Sequence, residues 1–295
     1  MIKDQCIICG GKACEIIYDG IIRGGGVHSE PIEGYRIIEC KSCKIHSLYP
    51  TPENIKEFYE SNEYRQHYDY TIDEQQLTQK YDTEQNDRIS KIGIENLRNK
   101  IIGDFGCGIG IFLDTVKGVA KKTVAVEPMQ LCKDILIRKG HVYYEYPQSM
   151  DANSLDVAVT FDTLEHIDNP ILYLTSIYKT ILTGGHLYLA VPNRNDILMN
   201  TCMKAFLEFF YCKAHLFYYN MEALCYVVEK SGFKIIERSG LHKYDFYNFM
   251  SWLKEEKPCG RKKLSFIDPF FEKMFKNELI RLNLSSHLFI KAVKL

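Results

Sequence analysis

The segment Ile101-Ile102-Gly103-Asp104-Phe105-Gly106-Cys107-Gly108-Ile109-Gly110-Ile111-Phe112-Leu113 constrains this chain more than any other. An apolar run passes through an acid into three alternate glycines and then becomes apolar again, the pattern of a buried strand that turns tightly into a helix. Glycines at such a turn let the backbone approach a ligand, and the helix N-terminus behind them faces the same place. A dinucleotide-binding turn requires G-x-G-x-x-G, but position 111 is Ile, so the pyrophosphate version fails at its last glycine. Asp104 instead suits a cationic amino group and repels a pyrophosphate.

From Lys100 onward, strand and helix patterns alternate, which predicts an α/β, Rossmann-like sheet of seven strands, parallel and covered by helices on both faces. The strands are read at Ile101 to Phe105, Thr123 to Val126, Val142 to Glu145, Leu155 to Phe161, His186 to Val191, Phe233 to Glu237 and Leu288 to Val293. Glu127 follows the second of these, seventeen residues after Gly110, where a carboxylate can accept both hydroxyls of a ribose. Residues 100–295 are therefore expected to form the core, interrupted by insertions at 193–220 and 241–286. Residues 50–99 read as a helical cap or linker, and residues 1–49 as short strands between glycine-rich turns.

That first segment is poor in large apolar residues and needs a staple. Cys6-Ile7-Ile8-Cys9 and Cys40-Lys41-Ser42-Cys43 are two C-x2-C pairs, and four thiolates so spaced suit tetrahedral zinc. Four protein ligands leave no open position, so Cys6, Cys9, Cys40 and Cys43 are expected to hold a structural Zn2+. Cys14, His28 and His46 lie nearby and are read as turn or surface residues rather than ligands.

Composition excludes several classes. The chain has 295 residues with 37 basic and 38 acidic side chains, a balance that gives no overall attraction to nucleic acid or an acidic membrane. The run Gly260-Arg261-Lys262-Lys263 is a local exception and reads as a solvated loop. No window has the length and apolarity of a signal peptide or a membrane span, so a cytoplasmic protein without membrane insertion is expected. Eleven cysteines then read as reduced thiols plus one metal site.

With its leading acid, three glycines and second acid, the core resembles the class I methyltransferases that use S-adenosylmethionine. Leu155-Asp156-Val157-Ala158-Val159-Thr160-Phe161-Asp162-Thr163-Leu164-Glu165-His166-Ile167-Asp168-Asn169-Pro170 is similar to that family's fourth strand and Glu-His-Ile-x-x-Pro loop. Leu182-Thr183-Gly184-Gly185-His186-Leu187-Tyr188-Leu189-Ala190-Val191-Pro192-Asn193 resembles its fifth strand. The resemblance implies that Asp104, Phe105, Gly106, Cys107, Gly108, Gly110, Glu127, Pro128, Asp162, Thr163 and Leu164 contact S-adenosylmethionine. Members usually carry an acid just after the third strand to read the adenine amino group. Here Tyr146-Pro147-Gln148 follows, which leaves Gln148 or a backbone group for that role.

Methyl transfer to a hydroxyl needs a base, and His166 and His215 are the two candidates. The four-cysteine segment joined to this core resembles bacterial methyltransferases that act on nucleotide-linked sugars. That resemblance implies an O- or C-methylated sugar, nucleotide-sugar or other small precursor of a surface glycan, met by His215 and by tyrosines at Tyr59 and Tyr64. Two alternatives stand beside it: an RNA methyltransferase, disfavoured by the near-zero charge, and a non-catalytic protein that binds S-adenosylmethionine.

Overall fold

A computed structural model describes residues 5–26, 29–53, 73–201, 203–260 and 264–295. The chain divides into two compact units: Met1–Thr51, Val191–Leu224 and Arg238–Phe289 form one, and Pro52–Ala190, Cys225–Glu237 and Ile290–Leu295 the other.

In the first unit, β1 (Cys14–Asp19), β4 (Arg36–Cys40) and β5 (His46–Tyr49) form an antiparallel sheet, beside a short pair β2 (Ile22–Arg23) and β3 (Pro31–Ile32). A strand from far along the chain, β11 (Phe217–Tyr218), pairs with the open edge of β5, Tyr218 lying opposite His46. The apolar core of this unit joins Ile22, Ile37 and Leu48 to Phe206, Phe210, Tyr211, Tyr218 and Trp252, all at most 9% exposed. Residues from 191–224 and 238–289 thus supply the large side chains that the first 49 residues lack. They complete a core that a segment of that length cannot build alone.

The second unit opens with α1 (Glu74–Ile92), started by Asp73, whose carboxylate accepts the Gln76 N–H at 2.8 Å, and stopped at Gly93, whose φ is 85°. Alternating elements follow: β6 (Ile101–Phe105), α2 (Ile111–Val116), β7 (Lys122–Val126), α3 (Gln130–Arg138), β8 (Val142–Tyr144), β9 (Leu155–Phe161), α4 (Pro170–Thr180) and β10 (Ile181–Pro192). The rest of the chain, shared between the two units, forms α5 (Leu198–Thr201), α6 (Met203–Phe210), α7 (Met221–Lys230), β12 (Lys234–Leu241), α8 (Phe246–Glu255), α9 (Pro269–Arg281) and β13 (His287–Val293), of which α5, α6, α8 and α9 lie in the first unit.

The large sheet has seven strands in the order β12-β13-β10-β9-β6-β7-β8. Strands β10, β9, β6, β7 and β8 run parallel, and their nearly continuous buried residues are those of a sheet covered on both faces. The sheet is mixed rather than wholly parallel. Asn193 N–H donates to Ser286 O while Gly184 N–H donates to Lys294 O, so β13 runs antiparallel to β10. The chain steps from β6 to β7 and β8 on one side, then returns to β9 on the other. That reversal opens a crevice at the carboxyl ends of β6 and β9.

Candidate cofactor and metal sites

The crevice is a cavity of about 550 Å³ within the second unit. Parallel pairing sets Phe105 opposite Val126, so the glycine turn after β6 and Glu127 after β7 emerge side by side. Gly106, Gly108 and Gly110 all adopt positive φ, at 80°, 55° and 80°, a conformation that glycine reaches without strain. A Cβ on Gly106 would lie 2.4 Å from Thr163 Oγ1, so the turn is packed against the end of β9 as well as twisted.

Glu127 is buried, and its two oxygens accept the N–H groups of Gly108 at 2.8 Å and Met129 at 3.1 Å. A carboxylate has about four acceptor positions. Two backbone N–H groups thus fix the orientation of the carboxylate at the cavity wall. Asp104 is 4% exposed, and burial raises its carboxyl to about 7, against the lowering effect of Arg88 and with a smaller push from Glu127.

Asp104, Gly106, Cys107, Gly108, Glu127, Pro128, Gln148, Asp162 and Thr163 all line the cavity. Phe105 and Leu164 are buried and Gly110 caps α2, and these three are not among the lining residues. Strand β8 stops at Tyr144, so Glu145 is the first residue beyond it and also lines the cavity; by sequence it reads as the strand's last residue. Gln148 Nε2 donates to Ser176 Oγ at 3.2 Å, and that hydroxyl donates to Leu172 O at 3.0 Å. The serine proton is used, so it can only accept from the amide, and the Gln148 oxygen is left to accept from a ligand.

Sequence reasoning read residues 50–99 as a helical cap or linker but assigned none of the residues of α1 to the cofactor site. Leu77, Tyr81, Glu84 and Arg88 fall on one helical face and line the cavity. Arg88 donates to Asp162 Oδ2 at 2.7 Å, and its guanidinium lies 4.7 Å from the centre of the Phe161 ring. Its Nε is buried with no hydrogen-bond partner among the described residues. The sequence signal was an arginine on an amphipathic helix just before the glycine turn, four residues after Glu84.

Six carboxyl side chains line the cavity, those of Glu84, Asp104, Glu127, Glu145, Asp162 and Asp168. Against them stands one guanidinium, that of Arg88, among the described lining residues. Such a lining rejects pyrophosphate and fits a molecule with an ammonium, a ribose diol and a single carboxylate. The residues present therefore suit S-adenosylmethionine.

Of the proposed bases, His166 lines this cavity at the end of the turn after β9. His215 belongs to the first unit, where its ring lies 5.7 Å from that of Tyr218. Tyr59 and Tyr64 lie outside the described residues.

In the first unit, the Sγ atoms of Cys6, Cys9, Cys40 and Cys43 all lie within 4.8 Å of one another, with Cys6 and Cys43 at 3.7 Å and Cys9 and Cys40 at 3.5 Å. Zinc bonded to sulfur at about 2.3 Å sets tetrahedral ligands about 3.8 Å apart, so the cluster fits that ion. Both turns are built alike. Gly10 donates to Cys6 O and Lys44 to Cys40 O, each at 2.8 Å, and these two residues have φ of 72° and 60°. Cys14 lies opposite Cys40 across the β1 and β4 ladder but outside the four-sulfur cluster. His46 is not the surface or turn residue expected: it is buried, with Nε2 3.2 Å from Glu39 Oε2 and in contact with Arg194. Pairing of β5 on both edges, with β4 and β11, carries it inside.

Fold and cofactor crevice together define a class I S-adenosylmethionine-dependent methyltransferase. The chain belongs to the methyltransferase domain family, which matches it over residues 75–238. Among curated proteins it is similar to the ubiquinone biosynthesis O-methyltransferases of Cupriavidus pinatubonensis, at 26% identity over 113 residues, and Vibrio atlanticus, at 29% over 112. These matches cover 35% and 34% of this chain and 45% and 47% of the relatives, so the similarity spans less than half of each relative's length. A solved S-adenosylmethionine-dependent methyltransferase from Thermotoga maritima shares the fold with a TM-score of 0.50 at 18% identity, covering 75% of this chain and 94% of that one.

Proposed function

We propose that this chain transfers the methyl group of S-adenosylmethionine to a hydroxyl oxygen of a small molecule. The observation that carries the reading is the acid-lined cavity at the glycine turn, with Glu127 fixed by two backbone N–H groups and Arg88 as the one guanidinium among the described lining residues. When bound, S-adenosylmethionine supplies an electrophilic methyl on a sulfonium. In this reading Asp104 faces its ammonium, Arg88 its carboxylate, Glu127 its ribose hydroxyls, and Gln148, held by Ser176, its adenine amino group. Holding donor and acceptor in line converts a bimolecular displacement into an intramolecular one, and a histidine takes the acceptor proton. His166, on the cavity wall, and His215 are the two we assign to that step.

The name carried by the curated relatives supports oxygen as the acceptor atom. The acceptor itself we infer to be a sugar, nucleotide-sugar or other glycan precursor, on the resemblance carried by the four-cysteine segment. That segment we take to hold a structural zinc ion, supported by sulfur spacings close to those of a tetrahedral site. We place the protein in a reducing compartment such as the cytoplasm, a reading supported by ten described cysteines that form no disulfide with one another.

The test uses the purified chain and donor labelled in its methyl group, offered a nucleotide-sugar panel, a catechol and phenol panel, and total RNA. Label in a nucleotide-sugar is the expected result. Label in phenols alone would keep the reaction and overturn the acceptor. Label in RNA alone would overturn the small-molecule reading. A calorimetric titration that binds NAD and not S-adenosylhomocysteine would overturn the donor.

A further inference from the structure

The loop that carries His215 is closed by one hydroxyl. Tyr218 Oη accepts the Cys212 N–H at 2.9 Å and donates to Cys212 O at 3.0 Å, so a single side chain satisfies both backbone groups of Cys212. Cys212 O also accepts the His215 N–H at 3.2 Å, which closes a turn with the histidine at its end. Cys212 and Tyr218 are both buried, where a bond left unmade is costly. The Tyr218 ring lies 5.7 Å from that of His215, so one tyrosine holds the backbone of the loop and packs near its imidazole.

The first 49 residues grip both ends of that loop, all within the first unit. At one end, Arg23 N–H donates to Tyr211 O at 2.9 Å and Arg23 O accepts the Lys213 N–H at 3.0 Å, which brackets Cys212. At the other, Leu48 N–H donates to Leu216 O at 3.0 Å, and Phe217 and Tyr218 pair with Ser47 and His46 of β5. Strand β5 begins three residues after Cys43, the last of the four clustered cysteines. Arg194 joins the same two places by another route: its Nη2 donates to Lys44 O at 3.0 Å, and its backbone N–H donates to Tyr219 O at 2.9 Å. A metal held by Cys6, Cys9, Cys40 and Cys43 would therefore fix the meeting point of β4 and β5, and these bonds carry that fixed point to Tyr218 and so to His215. A base has to stand within hydrogen-bond reach of the proton it takes, and a histidine between a turn and a two-residue strand gains little rigidity from its own neighbours.

We propose that the four-cysteine sheet is a clamp on the His215 loop, with Tyr218 a positioning residue whose hydroxyl is the clasp; the inference rests on His215 as the base of methyl transfer. Magnetic resonance of the full chain with labelled histidine tests it, His215→Ala serving to assign the His215 ring signal. Tyr218→Phe keeps the buried ring and removes the hydroxyl. Its His215 signal should move or broaden while those of His166 and His186, both in the second unit, stay in place. Amide exchange over residues 213–217 should rise about tenfold, and kcat with a nucleotide-sugar acceptor should fall about ten- to a hundredfold. Affinity for S-adenosylhomocysteine should stay parental, because the residues that line the cofactor cavity belong to the second unit. Stripping zinc from the parent with a chelator should move the same His215 signal. Parental His215 signal and exchange in Tyr218→Phe, or movement of all three histidine signals together, overturns the clasp. A His215 signal indifferent to zinc removal overturns the clamp. Unchanged turnover by His215→Ala, with the signal still moved in Tyr218→Phe, overturns the role in methyl transfer and shows that the base assignment failed rather than the geometry of the loop.

Discussion

Replacing Asp104 with asparagine should raise stability and weaken cofactor binding at the same time, and both effects follow from one carboxyl. Burial lifts that group from an ordinary value of 3.8 to about 7, opposed by Arg88 and slightly aided by Glu127. At about 1.36 kcal/mol for each pKa unit, the folded state is disfavoured by about 4 kcal/mol once the carboxyl ionises. The sign follows from proton affinity: the folded carboxyl holds its proton more tightly than the unfolded one. Its contribution to stability is therefore intact below 3.8 and is lost as pH rises through about 7. Asp104→Asn removes the ionisation, so the variant should melt above the parent at pH 8 and near it at pH 4.

Binding has the opposite dependence, because the ligand ammonium pairs with the carboxylate and not with the acid. A group titrating at about 7 is about nine-tenths ionised at pH 8 and one-tenth at pH 6. Affinity for S-adenosylhomocysteine should therefore fall about tenfold, or about 1.4 kcal/mol, between those values. Calorimetry in buffers of different ionisation enthalpy should record proton release near pH 7. The variant should bind weakly, with neither pH dependence nor proton release. Parental affinity that is equal at pH 6 and pH 8, or a variant that melts below the parent at pH 8, would refute this account of Asp104.

Arg88→Met should preserve the helix yet weaken S-adenosylhomocysteine binding by about 10- to 100-fold, the range of a charge-assisted pair worth about 1.5–3 kcal/mol, with Arg88→Lys in between. Unchanged affinity would place the ligand carboxylate elsewhere. Ser176→Ala should free the Gln148 amide, so that discrimination between S-adenosylhomocysteine and its deaminated inosyl analogue shrinks about five- to tenfold while the melt barely moves, a net hydrogen-bond effect of about 1 kcal/mol. Preserved discrimination would assign the adenine to Glu145 or to backbone. Cys40→Ser, or a strong chelator on the parent, should release one zinc ion per chain by elemental analysis and lower the melting temperature of a resolved transition. A zinc-free parent with an unaltered melt would sink the metal assignment.

The parts of this fold that were legible in the sequence are those set by local patterns. Ile101–Phe105 and Leu155–Phe161 are observed with the bounds read from their apolar runs, because a strand buried on both faces has no other way to appear. Boundaries shifted where the ladder is irregular. β10 starts at Ile181 rather than His186, across a break in register between those two residues, and β8 gives up Glu145 to the cavity wall. The glycine turn and Glu127 were legible for the same reason: they are fixed by their own strands.

Long-range pairing was not legible. Ser47 of β5 meets Phe217 of β11 across most of the length of the chain, and no local period announces such a partner. Without it the first 49 residues look like a fragment held only by sulfur ligands. With it they form a sheet whose core includes Tyr211, Tyr218 and Trp252. The same limit hid Arg88, because periodicity shows that a helix has an inward face and not which cavity that face lines. The donor site proposed here is thus the part most legible in the sequence, since a strand and the turn behind it are contiguous. The proposed acceptor site, by contrast, draws on side chains far apart in sequence, which no local pattern brings together.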